Sequence, residues 1–210
     1  MPHSNANTII ILDFETTGLS PNYGDRAIEI GALRIEDGEI KERFQELMNP
    51  GQRISPFIED YTGITNGMLK NAPSCEEVMH RFADFISGYN LVAHNASFDK
   101  RFLDAELDNI SRTYSGKFVC SMLVSRRIYQ DAPNHKLGSL IEYKNIPTDG
   151  AFHRALFDSE MTTKLWLAML DDIGRQCNIS SVPFTLMQKL AKTPKKSVQK
   201  FLESFSKAKT

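Results

Sequence analysis

The amino-acid sequence predicts an α/β layer fold: a mixed five-stranded sheet flanked by helices. Three observations lead there. Residues 8–14 form a continuous apolar, largely β-branched run of the kind that becomes a strand buried on both faces. Two alternating segments flank Asp37-Gly38, a hairpin signal, so the sheet opens as an antiparallel meander. Beyond residue 70, short apolar runs alternate with stretches of helical periodicity, which makes the sheet mixed.

The first strand is followed by a turn at residues 19–25, then by a strand over Ala27–Glu36 and its return over residues 41–48. Asn49-Pro50-Gly51 stops the return strand. Residues 56–71 read as loop and short helix, punctuated by Thr62-Gly63-Ile64-Thr65. Pro73 and Ser74 open a helix whose Val78, Phe82, Phe85 and Ile86 fall at helical spacing. A short strand follows at residues 90–93. Ser97 is placed to cap a helix carrying Phe98, Phe102, Leu103, Leu107 and Ile110. Residues 118–123 read as a strand running into a helix, and Leu137–Tyr143 as a helix. Residues 155–170 form a long helix with Leu156, Met161, Leu165, Leu167 and Leu170 inward.

Composition removes several classes of protein. With 210 residues, 41% hydrophobic and 24% charged, the chain reads as one ordinary globular domain, or one domain with an appendage, and needs no disulfide or metal to fold. No apolar run approaches the roughly 20 residues of a membrane span. The first five residues have neither a basic start nor an apolar stretch, so no signal peptide is expected. Three cysteines (Cys75, Cys120, Cys177) match no zinc or redox spacing, and a reducing cytoplasmic location is the default. The net charge is −1, but residues 183–210 hold seven lysines and one glutamate. The body is therefore acidic, which leaves room for a local nucleic-acid site but not for a broad basic face.

Three segments carry chemistry. Asp13 and Glu15 sit at i and i+2 of the first strand and so project from one face. Two carboxylates there repel and are costly to desolvate unless a cation neutralises them, and an all-oxygen site favours Mg²⁺ or Mn²⁺. The pair alone is also read as two solvated acids past a strand end. His94-Asn95-Ala96-Ser97-Phe98-Asp99 places Asp99 in the first turn of a helix, where favourable interaction with the helix terminus is the competing account. In His153-Arg154-Ala155-Leu156-Phe157-Asp158, five residues of α-helix would set the two end side chains about 140° apart. If both act, His153 must lie on the preceding loop, freed by Asp149-Gly150, with Asp158 on the helix proper. A lone loop histidine is otherwise a surface residue.

Taken together and in order, the segments resemble the three motifs of the DEDDh group, the proofreading-type 3′–5′ exonucleases related to the DNA polymerase III epsilon subunit. The first motif is Leu12-Asp13-Phe14-Glu15-Thr16-Thr17-Gly18-Leu19. The second is Val92-Ala93-His94-Asn95-Ala96-Ser97-Phe98-Asp99, backed by Phe102-Leu103, and the third runs from His153 to Asp158. The similarity spans roughly residues 8–172. It implies a ribonuclease H-like fold, with residues 1–182 as the exonuclease domain and 183–210 as a basic C-terminal helical tail. It further implies that Asp13, Glu15, Asp99 and Asp158 hold two divalent cations, Mg²⁺ or Mn²⁺, about 4 Å apart. His153 would take a proton from the attacking water, a task suited to an imidazole. The implied reaction releases nucleoside 5′-monophosphates from a 3′ end.

The resemblance also assigns the terminal nucleotide to Thr16, Thr17 and Leu19, with Asn95 and Phe98 near its sugar and base. Phe98 is equally a core contact. Thr62 stands where the epsilon subunit has histidine, a departure that weakens any sugar contact there. Arg154 reads as structural, and Glu29 as a support for a ligand. In the tail, Val198, Phe201, Leu202 and Phe205 make an amphipathic helix, read mainly as packing on the parent domain and secondarily as a docking or nucleic-acid contact. Residues 199–205 loosely resemble a sliding-clamp peptide, so a polymerase or clamp is a candidate partner.

The leading function is a 3′–5′ exonuclease acting on single-stranded DNA, free-standing or proofreading. An exoribonuclease of the ribonuclease T or oligoribonuclease kind is the alternative. A haloacid-dehalogenase-type phosphatase is a remote third, resting on Asp13-x-Glu15-x-Thr17 and Asp171-Asp172; it gives His153 no task. A non-catalytic binding module would have lost an acid, and none is missing.

Overall fold

The computed structural model describes residues 4–148 and 153–207. Its sheet has five strands: β1 (Ile9–Thr16), β2 (Ala27–Glu36), β3 (Glu39–Leu47), β4 (Leu91–Ala93) and β5 (Phe118–Cys120). Their spatial order is β3-β2-β1-β4-β5, with β1 central. β1 pairs antiparallel with β2 and parallel with β4, and β4 is parallel to β5. The sheet is thus mixed, as expected. Asp37 and Gly38, both at positive φ, make the hairpin turn between β2 and β3.

Helices lie on both sides of this sheet: α1 (Pro56–Thr62), α2 (Asn66–Lys70), α3 (Cys75–Phe85), α4 (Ser97–Asn109), α5 (Ser121–Ile128), α6 (Leu137–Tyr143), α7 (Ala155–Cys177), α8 (Phe184–Lys192) and α9 (Val198–Lys207). The alternation of β1 sorts its side chains between two cores. Ile9 and Ile11 join Leu165, Trp166 and Met169 of α7. Ile10, Leu12 and Phe14 join Phe82 of α3 and Phe102 of α4. Both faces are dry, which is why this strand is apolar throughout rather than alternating. The odd-numbered face continues through Asp13 to Glu15, toward α7.

Three helices differ from expectation. α3 begins where Ser74 predicts it, with a full capping box to Glu77. Ser97, by contrast, is the first residue of α4 and caps nothing; Ala96 takes the cap position without a side-chain bond. α7 runs seven residues beyond 170, because Ile173 and Cys177 extend the buried stripe past the acidic Asp171-Asp172. On it Trp166, Met169 and Ile173 are fully buried while Leu156 and Leu167 are half-buried. α8, absent from the sequence reading, buries Phe184, Leu186, Met187 and Leu190 in the same core as α7. Val198 and Leu202 of α9 join that core too. Residues 1–3 and 208–210 and the expected Asp149-Gly150 break lie outside the described residues.

The crossing of α7 over β2 depends on Gly31. A Cβ at that position would meet the backbone of Ala155 and Leu156 at 2.1–2.5 Å. Ser159 Oγ reinforces the contact by donating to the Gly31 carbonyl at 2.8 Å. Gly31→Ala must therefore push the start of α7 off the sheet. The expected cost is about 3 kcal/mol or more, a fall in Tm of about 6–12 °C; thermal unfolding of the variant checks it, and an unchanged Tm contradicts the close approach.

Candidate active site

The two faces of β1 and the helices around it bring four acids to the C-terminal end of the strand. Asp13 and Glu15 reach the α7 side, where Asp158 lies one turn into that helix. Carboxylate oxygens of Asp13, Glu15 and Asp158 all fall within 4.8 Å of one another. Asp99 enters from the first turn of α4, 2% exposed, and its Oδ1 accepts a hydrogen bond from the Phe14 amide at 3.1 Å. That bond ties the helix carrying Asp99 to the strand carrying the other pair.

The electrostatics are unfavourable for acids alone. Burial, and then the charges of Asp99, Glu15 and Asp158, push Asp13 well above the usual carboxylate range. Burial followed by Asp158 and Glu29 lifts Glu15 to about 8. Asp99 and Asp158 are raised as well, chiefly by burial, against the opposing pull of backbone amides. A cluster of hard oxygen donors held this close fits divalent cations such as Mg²⁺ or Mn²⁺.

A sign follows for stability. Glu15 keeps its proton in the folded state up to about pH 8 but loses it near 4.5 when unfolded, so the folded state binds more protons between those values. Stability of the cation-free protein must fall as pH rises through that window. Buried His94 opposes this at lower pH, since burial drops it to about 4. The clean interval is therefore pH 6.5–8. In chelator, Tm is expected to decline across it, less steeply in Glu15→Gln, and divalent cation should restore more Tm at pH 8 than at pH 6.5. A Tm that rises with pH in chelator for both proteins contradicts the assignment.

His153 lies on the loop before α7, exposed and with a left-handed φ of 73°, while Asp158 is on the helix. The His153 amide donates to Asp158 Oδ2 at 2.9 Å. Its ring packs on Tyr61 of α1, with centroids 4.0 Å apart, and Phe57 in turn stacks with Tyr61. The sequence reading missed these aromatics; an i, i+4 pair of exposed rings in a short helix was the available signal.

Glu29 explains why α7 starts where it does. Fully buried in β2, it accepts both Nε and Nη2 of Arg154 and the amide of Ala155, and also receives Gln45. Arg154 is structural, as read. Glu29 supports the helix rather than a ligand directly. Glu106 of α4 does the equivalent for the first residue of β2, receiving Arg26 and the Ala27 amide; sequence reasoning did not find it. His94 is likewise committed, Nε2 to the His135 carbonyl and Nδ1 to Ser121 Oγ, both at 2.9 Å. With Nε2–H donating to a carbonyl, neutral His94 accepts at Nδ1.

The acids open into a cleft of about 770 Å³ lined also by Thr16, Thr17, Leu19, Thr62, Asn95 and Phe98. Leu19 projects into solvent, 77% exposed. The hydroxyls of Thr16 and Thr17 are turned to Gly18 and Asp25, and that of Thr62 to the Ile58 carbonyl. Asn95 takes a left-handed φ of 67° and its carbonyl accepts the Phe98 amide. Phe98 is half-buried against Phe102, so part of its ring serves the core. Asp171 and Asp172 lie at the far end of α7, both paired with Arg175. The phosphatase reading therefore loses its later acids.

Residues 10–166 match the family model of the exonuclease domain of the RNase T type, and the chain belongs to that family. It is a DnaQ-like 3′–5′ exonuclease of the DEDDh kind. Among curated relatives, DNA polymerase III PolC-type from Caldanaerobacter subterraneus subsp. tengcongensis is 37% identical over 183 residues, covering 86% of this chain and 13% of that protein. PolC-type polymerase from Bacillus subtilis is 37% identical over 171 residues, 80% of this chain and 12% of the polymerase. The chain thus spans a small fraction of these relatives. Among solved structures, Exonuclease X in complex with 5′ overhanging duplex DNA superposes with a TM-score of 0.69 at 26% identity, covering 87% of this chain and 99% of that one. The nuclease domain of 3′hExo, a DEDDh family member bound to rAMP, gives 0.69 at 22% identity over 82% and 95%, a likeness of fold. An acidic cluster in this family points to divalent-metal dependence. Among the described residues no helix is long and apolar enough to cross a membrane.

Proposed function

We propose that this chain removes nucleotides one at a time from the 3′ end of single-stranded DNA, releasing nucleoside 5′-monophosphates. The observation that carries the reading is the convergence of Asp13, Glu15 and Asp158 within 4.8 Å, beside a cleft and an exposed imidazole. In this reading Asp13, Glu15, Asp99 and Asp158 hold two Mg²⁺ or Mn²⁺ ions. Such ions, when bound, supply positive charge to the phosphoryl oxygens as the ester is cleaved.

The chain's own residues do the rest. His153 removes the proton of the attacking water, and Tyr61 beneath its ring limits where the imidazole can swing. Leu19 wedges beside the terminal base, and the free part of Phe98 offers it a stacking surface. Thr16 and Thr17 face the terminal nucleotide with backbone, their hydroxyls being spent on the turn. Asn95 lies near the sugar. Thr62 shapes the wall without donating to it. We assign residues 1–182 to the nuclease and 183–210 to the tail, which packs through Val198 and Leu202 on α7; any polymerase or clamp contact would use its lysine-rich outer side. Three free cysteines agree with a reducing, cytoplasmic setting.

DNA is favoured over RNA by the kinship with DNA polymerases and with a DNA-bound exonuclease. The test is digestion of matched 5′-labelled DNA and RNA, single-stranded, duplex and 3′-mismatched, in Mg²⁺ or Mn²⁺. Stepwise shortening of single-stranded DNA is expected. Faster loss of RNA would move the substrate to RNA, and no shortening of any substrate would sink the reading.

A further inference from the structure

A second cleft of about 810 Å³ leaves the same acids in another direction. It shares Asp13, Asp158 and His153 with the first but continues between α5 and the start of α6, where Arg126 and Lys136 line it. Arginines in this protein are usually consumed. Arg26, Arg81 and Arg154 are paired with carboxylates, and Arg127, the neighbour of Arg126, donates to the carbonyls of Leu123 and Thr193. The side chains of Arg126 and Lys136, by contrast, have no ion pair or hydrogen bond among the described residues. Half-buried Arg126 and exposed Lys136 therefore stand unpaired along the wall of a cleft that begins at Asp13 and Asp158.

That arrangement suits a ligand carrying several regularly spaced negative charges, one end at the acids and the next charges along the wall. We infer that Arg126 and Lys136 grip the phosphodiester backbone of the nucleotides immediately 5′ to the bond being cut. This rests on the exonuclease reading above, with the terminal nucleotide in the cleft of Leu19 and Phe98. The substrate class it specifies is an oligonucleotide extending at least two phosphates upstream. A mononucleotide ester fills the first cleft and leaves the second empty, so the two cations separate long from short substrates.

The experiment compares a single-stranded oligonucleotide with thymidine 5′-monophosphate p-nitrophenyl ester, which has no upstream phosphate. Arg126→Gln/Lys136→Gln should lower the ratio of kcat/KM for the oligonucleotide over that for the ester by about tenfold, mostly through the oligonucleotide KM. The dependence of log KM on log salt should become shallower by about 1.4 for two lost phosphate contacts on a single strand. Lys136→Gln alone, on the surface and harmless to packing, should flatten it by about 0.7. An unchanged ratio and slope overturn the inference. Equal losses on both substrates also overturn it, since they place the cations in the chemistry or the fold. Failure of the unsubstituted protein on both substrates sinks the exonuclease reading itself, a different result.

Discussion

Asp13→Asn is expected to abolish nuclease activity by about 10³-fold or more, the scale of the charge stabilisation that a bound cation supplies, while raising the stability of the cation-free protein. The two effects have one cause. Asp13 is held well above its ordinary pKa by burial and by the four neighbouring carboxylates of Asp99, Glu15, Asp158 and Glu29, so removing its charge relieves the fold as it disables the site. Asparagine keeps the shape and leaves the strand pairing Asp13↔Gly31 intact. The measurements are turnover of a labelled oligonucleotide, Tm in chelator, and Tm against Mn²⁺ concentration. Lost turnover with a raised chelator Tm and a weakened Mn²⁺ response is the expected set. An unaltered Mn²⁺ titration would remove Asp13 from the ligands.

His153→Ala should behave differently: turnover falls by about 10²–10⁴-fold, the usual contribution of a general base, with the Mn²⁺-dependent Tm shift preserved. The separation is possible because His153 touches the acids through its backbone amide, which alanine retains, while its ring faces Tyr61 and solvent. Alanine accepts a left-handed φ of 73° somewhat less readily than histidine, a small added demand on the loop that the Mn²⁺ response reads directly. Full activity in this variant would leave the imidazole without a role. Loss of the Mn²⁺ response would instead mean that the loop helps build the acid cluster.

Much of this was legible along the chain. The central strand announced itself because both its faces are buried, and a strand with no polar side needs no partner to be recognised. Asp13 and Glu15 were legible through the period of two, and the separation of His153 from Asp158 through helix geometry. What escaped was tertiary in origin. The contacts of Glu29 with Arg154 and of Glu106 with Arg26 join residues 125 and 80 positions apart, and no local pattern reports such a pairing. α8 was hidden by its lysines, although Phe184, Met187 and Leu190 fall at helical spacing. The continuation of α7 was masked by Asp171, Asp172 and Gly174, which lie off the buried stripe that Ile173 and Cys177 carry on.

The Glu29 carboxylate receives both the guanidinium that precedes α7 and the amide that begins it. One side chain in the sheet thereby moors two parts at once: the segment bearing the imidazole and the rod bearing Asp158. Neither can drift without dragging the other. A substitution that loosens this mooring would blur proton removal and ion holding in the same proportion, so variants at Glu29 cannot be used to tune one against the other.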